Sequence, residues 1–283
     1  MAQSITNAFV TLFDAEVKQA YQAESVLRSA VRLRSGVNGN TYKFPKLGKG
    51  SATVRIPQTD VTPLNVTYSQ VTATMSDYNA AEYSDIFHQA KVNFDERSEL
   101  VQVVSKAIGR RLDQLIIDAL SGASSPNTVA NTVVTSGTAT ASNLNVGKLI
   151  AAKKAMDAKN VPLDDRHILI HANSLAGLLG DERAISGDYA SIKGLVSGEL
   201  NSFLGFKFIT IGDRDEGGLS IDGSSDRNVY AFHRSAIGMA ENMAQKTEIN
   251  YVPEKTSFLV NSMFSAGSIA IDDEGITEIT CRE

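Results

Sequence analysis

Cysteine is almost missing from this sequence. Cys281 is the only one in 283 residues, so no intrachain disulfide can form and nothing implies an oxidising compartment. Long apolar runs are missing too. The longest stretch without charge, Ala119 to Gly147, is built mainly of Ser, Thr, Asn, Ala and Gly, and falls short of the ~18 consecutive apolar residues of a membrane span. Met1-Ala2-Gln3 carries no basic region, and Asp14 and Glu16 fall where the apolar segment of an export signal would run. The expectation is a cytoplasmic chain with no membrane partner. Net charge is also low, at −5, with 42% hydrophobic and 21% charged residues. A disordered chain needs the opposite balance. At about 150 residues per domain, the length predicts one large or two modest domains with a real core.

The patterns that carry chemistry are equally scarce. There is no Gly-x-Ser-x-Gly elbow and no His-Glu-x-x-His. Gly48-Lys49-Gly50-Ser51 is no phosphate loop, because Lys43 stands where the first glycine is needed and Gly50 where Ser or Thr is needed. His167 and His171 are four apart, a spacing that suits a metal on a helix. The intervening Ile168-Leu169-Ile170 reads as strand, which separates the two by about 13 Å, so both are expected to be structural. Asp164-Asp165 and Asp272-Asp273-Glu274 sit beside turn residues without the alternating oxygen spacing of a calcium loop, and read as solvated turns. No catalytic, cofactor-binding or metal-ligating residue is expected.

What is present is an uneven charge distribution and a clear order of elements. Residues 1–60 hold eight Lys/Arg against four acids, and residues 61–283 hold 19 against 28. A basic arm on an acidic body can face a polyanion, although aromatic interleaving is sparse. Phe9, Leu12, Phe13, Val17 and Tyr21 recur at helical spacing, and Val26, Leu27, Ala30, Val31 and Leu33 extend the apolar content to Gly36, predicting an N-terminal helical arm. From Thr41 the texture becomes β. Tyr42–Phe44, Ala52–Ile56 and Leu64–Tyr68 read as strands, followed by alternating Val71, Ala73 and Met75. Together they predict a long hairpin too poor in apolar positions to stand alone.

The strongest helix signal runs from Asn93, an N-cap supported by Glu96, to about Leu120. Val101, Val104, Ile108, Leu112, Leu115 and Ala119 form its apolar stripe and Gly122 its stop. A polar loop or weak hairpin (121–143) leads to a Ser142-capped helix that ends before Pro162. Then come a buried strand at His167–His171, a helix from Ser174 to Arg183, and strands at Phe206–Ile211 and Asn228–His233. Four short strands are predicted at Glu248–Val252, Ser257–Val260, Ser268–Ile271 and Gly275–Ile279. The class is α+β.

This order resembles the major capsid protein of tailed bacteriophages, the HK-97 fold, and within it the short-tailed, podovirus-like subgroup. Five segments carry the resemblance: Phe44-Pro45-Lys46-Leu47-Gly48, Asp95-Glu96-Arg97-Ser98-Glu99, Val161-Pro162-Leu163-Asp164-Asp165-Arg166, Leu204-Gly205-Phe206-Lys207-Phe208 and Phe232-His233-Arg234-Ser235-Ala236-Ile237-Gly238. The resemblance implies an N-arm (1–40), an extended hairpin or E-loop (41–90), a peripheral domain with a spine helix (91–122 and 236–283) and an axial domain (123–235).

It further implies a non-enzymatic protein that self-assembles as pentamers and hexamers into an icosahedral shell around double-stranded DNA, located in the virion capsid and assembled in the host bacterial cytoplasm. A separate scaffolding protein and a portal protein are the implied partners, with the DNA held non-specifically on the inner face. Val61, Pro63 and Leu64 would touch a neighbouring subunit, and Arg28, Arg32 and Arg34 would face the genome. Some relatives cross-link a hairpin lysine to an asparagine; Lys43, Lys46 and Lys49 are available here, but no such bond is expected. An encapsulin-type compartment with enzyme cargo, or a hydrolytic enzyme, are the alternatives.

Overall fold

The computed structural model describes residues 22–92, 95–135, 137–181, 202–214 and 216–283. Its central element is a 26-residue helix, Glu96–Ser121, roughly 39 Å long at 1.5 Å per residue. Glu96 and Glu99 place negative charge in its first turn, where the helix dipole favours it. Gly122 ends it by donating its N–H to the Asp118 carbonyl at 2.8 Å. Three shorter helices are described, Ile86–Gln89 (α1), Val146–Ala158 (α3) and Ala172–Leu179 (α4), and the long helix is α2.

Two sheets flank α2. The first has strand order β1-β10-β11-β4, comprising Arg32–Ser35 (β1), Ile237–Val252 (β10), Ser257–Ala270 (β11) and Ser76–Asp85 (β4). The second has order β5-β12-β9-β6-β8-β7: Asn127–Val129 (β5), Ile276–Arg282 (β12), Asp226–His233 (β9), Arg166–His171 (β6), Phe206–Ile211 (β8) and Ser202–Phe203 (β7). One core joins the helix to both sheets, with Ile108, Leu112, Ile116 and Leu120 of α2 packed among Met239, Phe264 and Ala266 of the first and Leu169, Tyr230 and Phe232 of the second. The other face of the second sheet, with Ile168, Ile170, Val229 and Ala231, lies under Leu149, Ala152 and Met156 of α3. Because both faces of β6 are covered, its sequence is a nearly unbroken apolar run rather than an alternation.

A third, separate sheet has two strands, Thr41–Leu47 (β2) and Tyr68–Thr74 (β3), paired antiparallel from Thr41↔Thr74 to Leu47↔Tyr68. It is the base of the expected hairpin, but the expected strands at Ala52–Ile56 and Leu64–Thr67 are not formed, since residues 51–67 find no ladder partner within the described chain.

Four other expectations are corrected. The apolar content up to Gly36 does not continue a helix. Arg28–Ala30 is a single 3₁₀ turn and β1 then pairs in parallel with β10 from Arg32↔Gly238 to Ser35↔Glu241, because the open edge of β10 offers backbone partners that local periodicity cannot foresee. The earlier arm positions Phe9 to Tyr21, the Asn93 cap and Arg183 lie outside the described residues. Asn145, not Ser142, caps α3, accepting from the Lys148 N–H at 2.9 Å. The helix expected from Ser174 begins instead at Ala172, directly after β6. Finally, the short C-terminal strands before residue 271 merge into two long ones. Asn261 to Gly267 looks like turn sequence, yet Ser262 is buried within the sheet and accepts from the Thr247 hydroxyl at 3.0 Å. Gly267 is required there, because an added Cβ would lie 2.1 Å from the Thr74 carbonyl oxygen.

Candidate assembly surface

The hairpin is anchored at its base and open along its length. Phe44 of β2 is fully buried with Ala73, Met75, Ala240 and Ile271, and meets Tyr42 edge-on at 4.8 Å. Gly238 makes room for the ring, since a Cβ there would come within 2.8 Å of it. On the outer side, Lys46 pairs with Asp272 at 2.9 Å and Lys49 with Glu274 at 2.6 Å. The lysine beside Glu274 holds that carboxyl below its ordinary range. The acidic turn is thus engaged with the hairpin rather than simply solvated.

Beyond Gly48, whose N–H donates to the Thr67 carbonyl at 2.8 Å, the chain runs out to a turn at Pro57–Thr59 and back. Large apolar side chains stand in solvent along the whole path. Val54 is 94% exposed, Val61 86% and Leu64 57%, and Leu47, Ile56 and Tyr68 are exposed too. Pro63 is exposed between Val61 and Leu64. Val61, Pro63 and Leu64 thus lie exposed on one return segment, which has no ladder partner among the described residues. Scattered exposed apolar residues are ordinary, whereas a contiguous set marks an interaction surface.

The three arginines are placed differently from one another. The Arg28 guanidinium donates to both carboxylate oxygens of buried Glu241, each at 2.8 Å. Arg32 is half-buried 5.9 Å from the Phe44 ring centroid. Arg34, two positions along β1 and on the same face as Arg32, is exposed.

Just before them, the chain is tied to α2 by a residue that was not singled out in the sequence. Asp113 is fully buried. It accepts from the Ser25 hydroxyl at 2.8 Å, from the Val26 and Leu27 N–H groups at 3.1 Å each, and from Arg214 at 3.0 Å. The available signal was a carboxylate falling on the apolar side of the helix, between Gly109 and Ile116–Ile117.

His167 and His171 do not converge on a site. His167 stacks on Phe232 at 5.9 Å, and burial lowers its pKa. His171 is buried and its Nδ1 accepts from the Asn173 N–H at 3.2 Å, capping α4. Asp165 pairs with Lys207 at 2.8 Å. Among the described residues no group of three or more His, Cys, Asp or Glu side chains is placed to hold a metal ion, and no helix is long and apolar enough to cross a membrane. Cys281 lies buried under α3, where burial pushes its thiol up to about 12.

The fold is shared with phage capsids. The capsid of cyanophage P-SCSP1u is similar with a TM-score of 0.76 at 16% identity, over 100% of this chain and 96% of that one. The capsid of Helicobacter pylori bacteriophage KHP30 gives 0.76 at 14% identity, over 98% and 96%. Mycobacterium phage Che8 gives 0.71 at 16% identity, over 98% of both chains. No curated protein sequence matches the chain. The phage capsid protein family, however, matches residues 5–283. The α+β architecture is HK-97-like, and with the family match covering nearly its whole length the chain belongs to the phage capsid protein family, as a structural, non-enzymatic major capsid protein of an icosahedral shell.

Proposed function

We propose that copies of this chain associate as pentamers and hexamers by laying the hairpin of one subunit on its neighbour, with Val61, Pro63 and Leu64 at the contact. The carrying observation is the run of exposed apolar side chains from Val54 to Leu64 on a segment with no ladder partner of its own. An unpaired hairpin of this kind is marginal until another surface covers it. The remaining divisions follow: an N-arm (1–40), the hairpin (41–90), a peripheral domain around α2 (91–122 and 236–283) and an axial domain (123–235). Two ladders cross these proposed bounds, since β4 pairs with β11 and β12 with β9.

The shell would enclose double-stranded DNA, touched non-specifically by Arg34 and its basic neighbours. Arg28 is a poorer candidate for the genome because its charge is already matched by Glu241. A separate scaffolding protein and a portal protein complete the assembly, in the cytoplasm of the host bacterium, as in the short-tailed subgroup that the motifs resemble. The test is to purify assembled particles and measure their contents. Nuclease-protected DNA, reduced by Arg34→Glu without loss of shells, supports the reading. Shells filled with protein cargo and free of nucleic acid would select the encapsulin-type compartment instead.

A further inference from the structure

The hairpin meets the body at a buried base and, further out, at a pair of ionic contacts. The β2–β3 sheet shares no ladder with either larger sheet. Its base is held by chain continuity at Asn40 and Met75 and by burial of Phe44, Ala73 and Met75 against Ala240 and Ile271, and its outer part by the ion pairs Lys46–Asp272 and Lys49–Glu274. Both pairs are reached by solvent, with side-chain exposures of 38% and 39% in the first and 74% and 38% in the second.

The acidic partner is fixed in place. The turn Asp272–Gly275 carries the chain from β11 of one sheet to β12 of the other. It is held from behind by Ile271 N–H on the Ala236 carbonyl at 2.7 Å, by Ser125 N–H on Asp273 at 3.0 Å and by the Asn127 amide on the Glu274 carbonyl at 3.1 Å. A braced acidic turn therefore faces two lysines on the part of the hairpin that lies beyond its buried base.

We infer that Asp272 and Glu274 form an electrostatic latch that sets the angle of the hairpin against the body, and that ionic strength or a competing charge can release it. Solvent-exposed pairs are individually weak and screened by salt, which suits a contact meant to be exchanged. The Phe44 plug acts as the pivot and the ion pairs, further out, as the stop. That this angle governs assembly rests on the hairpin bridging copies; the latch itself does not.

The latch is tested on full-length, dissociated subunits carrying spin labels at Val61→Cys and Leu163→Cys, both exposed positions, with buried Cys281 left in place. At a Debye length of roughly 20 Å the tip-to-body distance distribution is expected to be narrow, and at roughly 4 Å at least twofold broader. Lys49→Glu and Glu274→Lys should each be broad at low salt, and the double swap narrow again, since the Glu274 carboxylate engages Lys49. Unchanged circular dichroism in all variants excludes misfolding. A width that ignores salt, or a double swap as broad as the single variants, overturns the latch. Because the distance is read within one subunit, failure of the hairpin to bridge copies leaves it unaffected and is seen only in particle formation.

Discussion

The spine helix and the hairpin tip have similar side chains and opposite surroundings. Val104, Ile108, Leu112 and Ile116 of α2 are all at most 6% exposed. Val54, Ile56, Val61 and Leu64 are all more than half exposed. Full burial of such a side chain contributes about 1.5–3 kcal/mol, so the exposed part of these four tip residues holds roughly 4–9 kcal/mol of gross burial that one subunit leaves unused, before the ordering costs of association. The helix folds the subunit, and on the proposed function the tip is left for other copies.

If that division is right, damage to the helix side should appear in subunit stability. The largest loss is expected for Asp113→Ala, which leaves Arg214 buried without its carboxylate and strips acceptors from Val26 and Leu27 N–H. Breaking a buried pair on one side costs about 3–5 kcal/mol, readable as a lowered denaturant midpoint with an unchanged slope. Leu112→Ala should follow, with about 2–5 kcal/mol lost through transfer and the residual cavity, measured in the same way.

A smaller effect sharpens the comparison through chemistry rather than stability. Cys281 should resist thiol reagents at pH 8 in the folded subunit and react at once in denaturant, because its thiol is buried. Its folded pKa, about 12, is raised above the ordinary 9.0. The stability linked to it is therefore fully present below pH 9 and is lost as pH rises from about 9 towards 12. Alkylation of native protein at pH 8 as fast as in denaturant would contradict the packing of this region.

Much of the body was legible from local pattern. The α2 stripe at Val104, Ile108 and Leu112 is buried as its spacing predicts, and β8 runs from Phe206 to Ile211 as its apolar run predicts. What escaped was set by partners distant in sequence. Arg32–Ser35 becomes a strand because β10 is beside it, and Asn261–Gly267 stays in β11, where it pairs with β10 and β4 on both sides and Ser262 accepts from Thr247 inside the sheet. Asp113 was hidden in a helix pattern whose other members are apolar. Ala52–Ile56 shows the reverse case, a sequence of strand type that finds no ladder partner in the described chain. The candidate surface was therefore visible as a mismatch between local propensity and available core, while the ion pairs that hold it required the fold.

The central claim, that the hairpin tip is spent between copies, is tested most directly by Val61→Asp, with the folding of the subunit and the assembly of particles measured side by side. The account predicts the same circular dichroism and the same denaturant midpoint within about 0.5 kcal/mol, as for an exposed surface position, together with loss of shells in electron microscopy, because a neighbouring subunit would have to bury an unpaired charge. Unfolding of the subunit, or shells in normal yield, would contradict it.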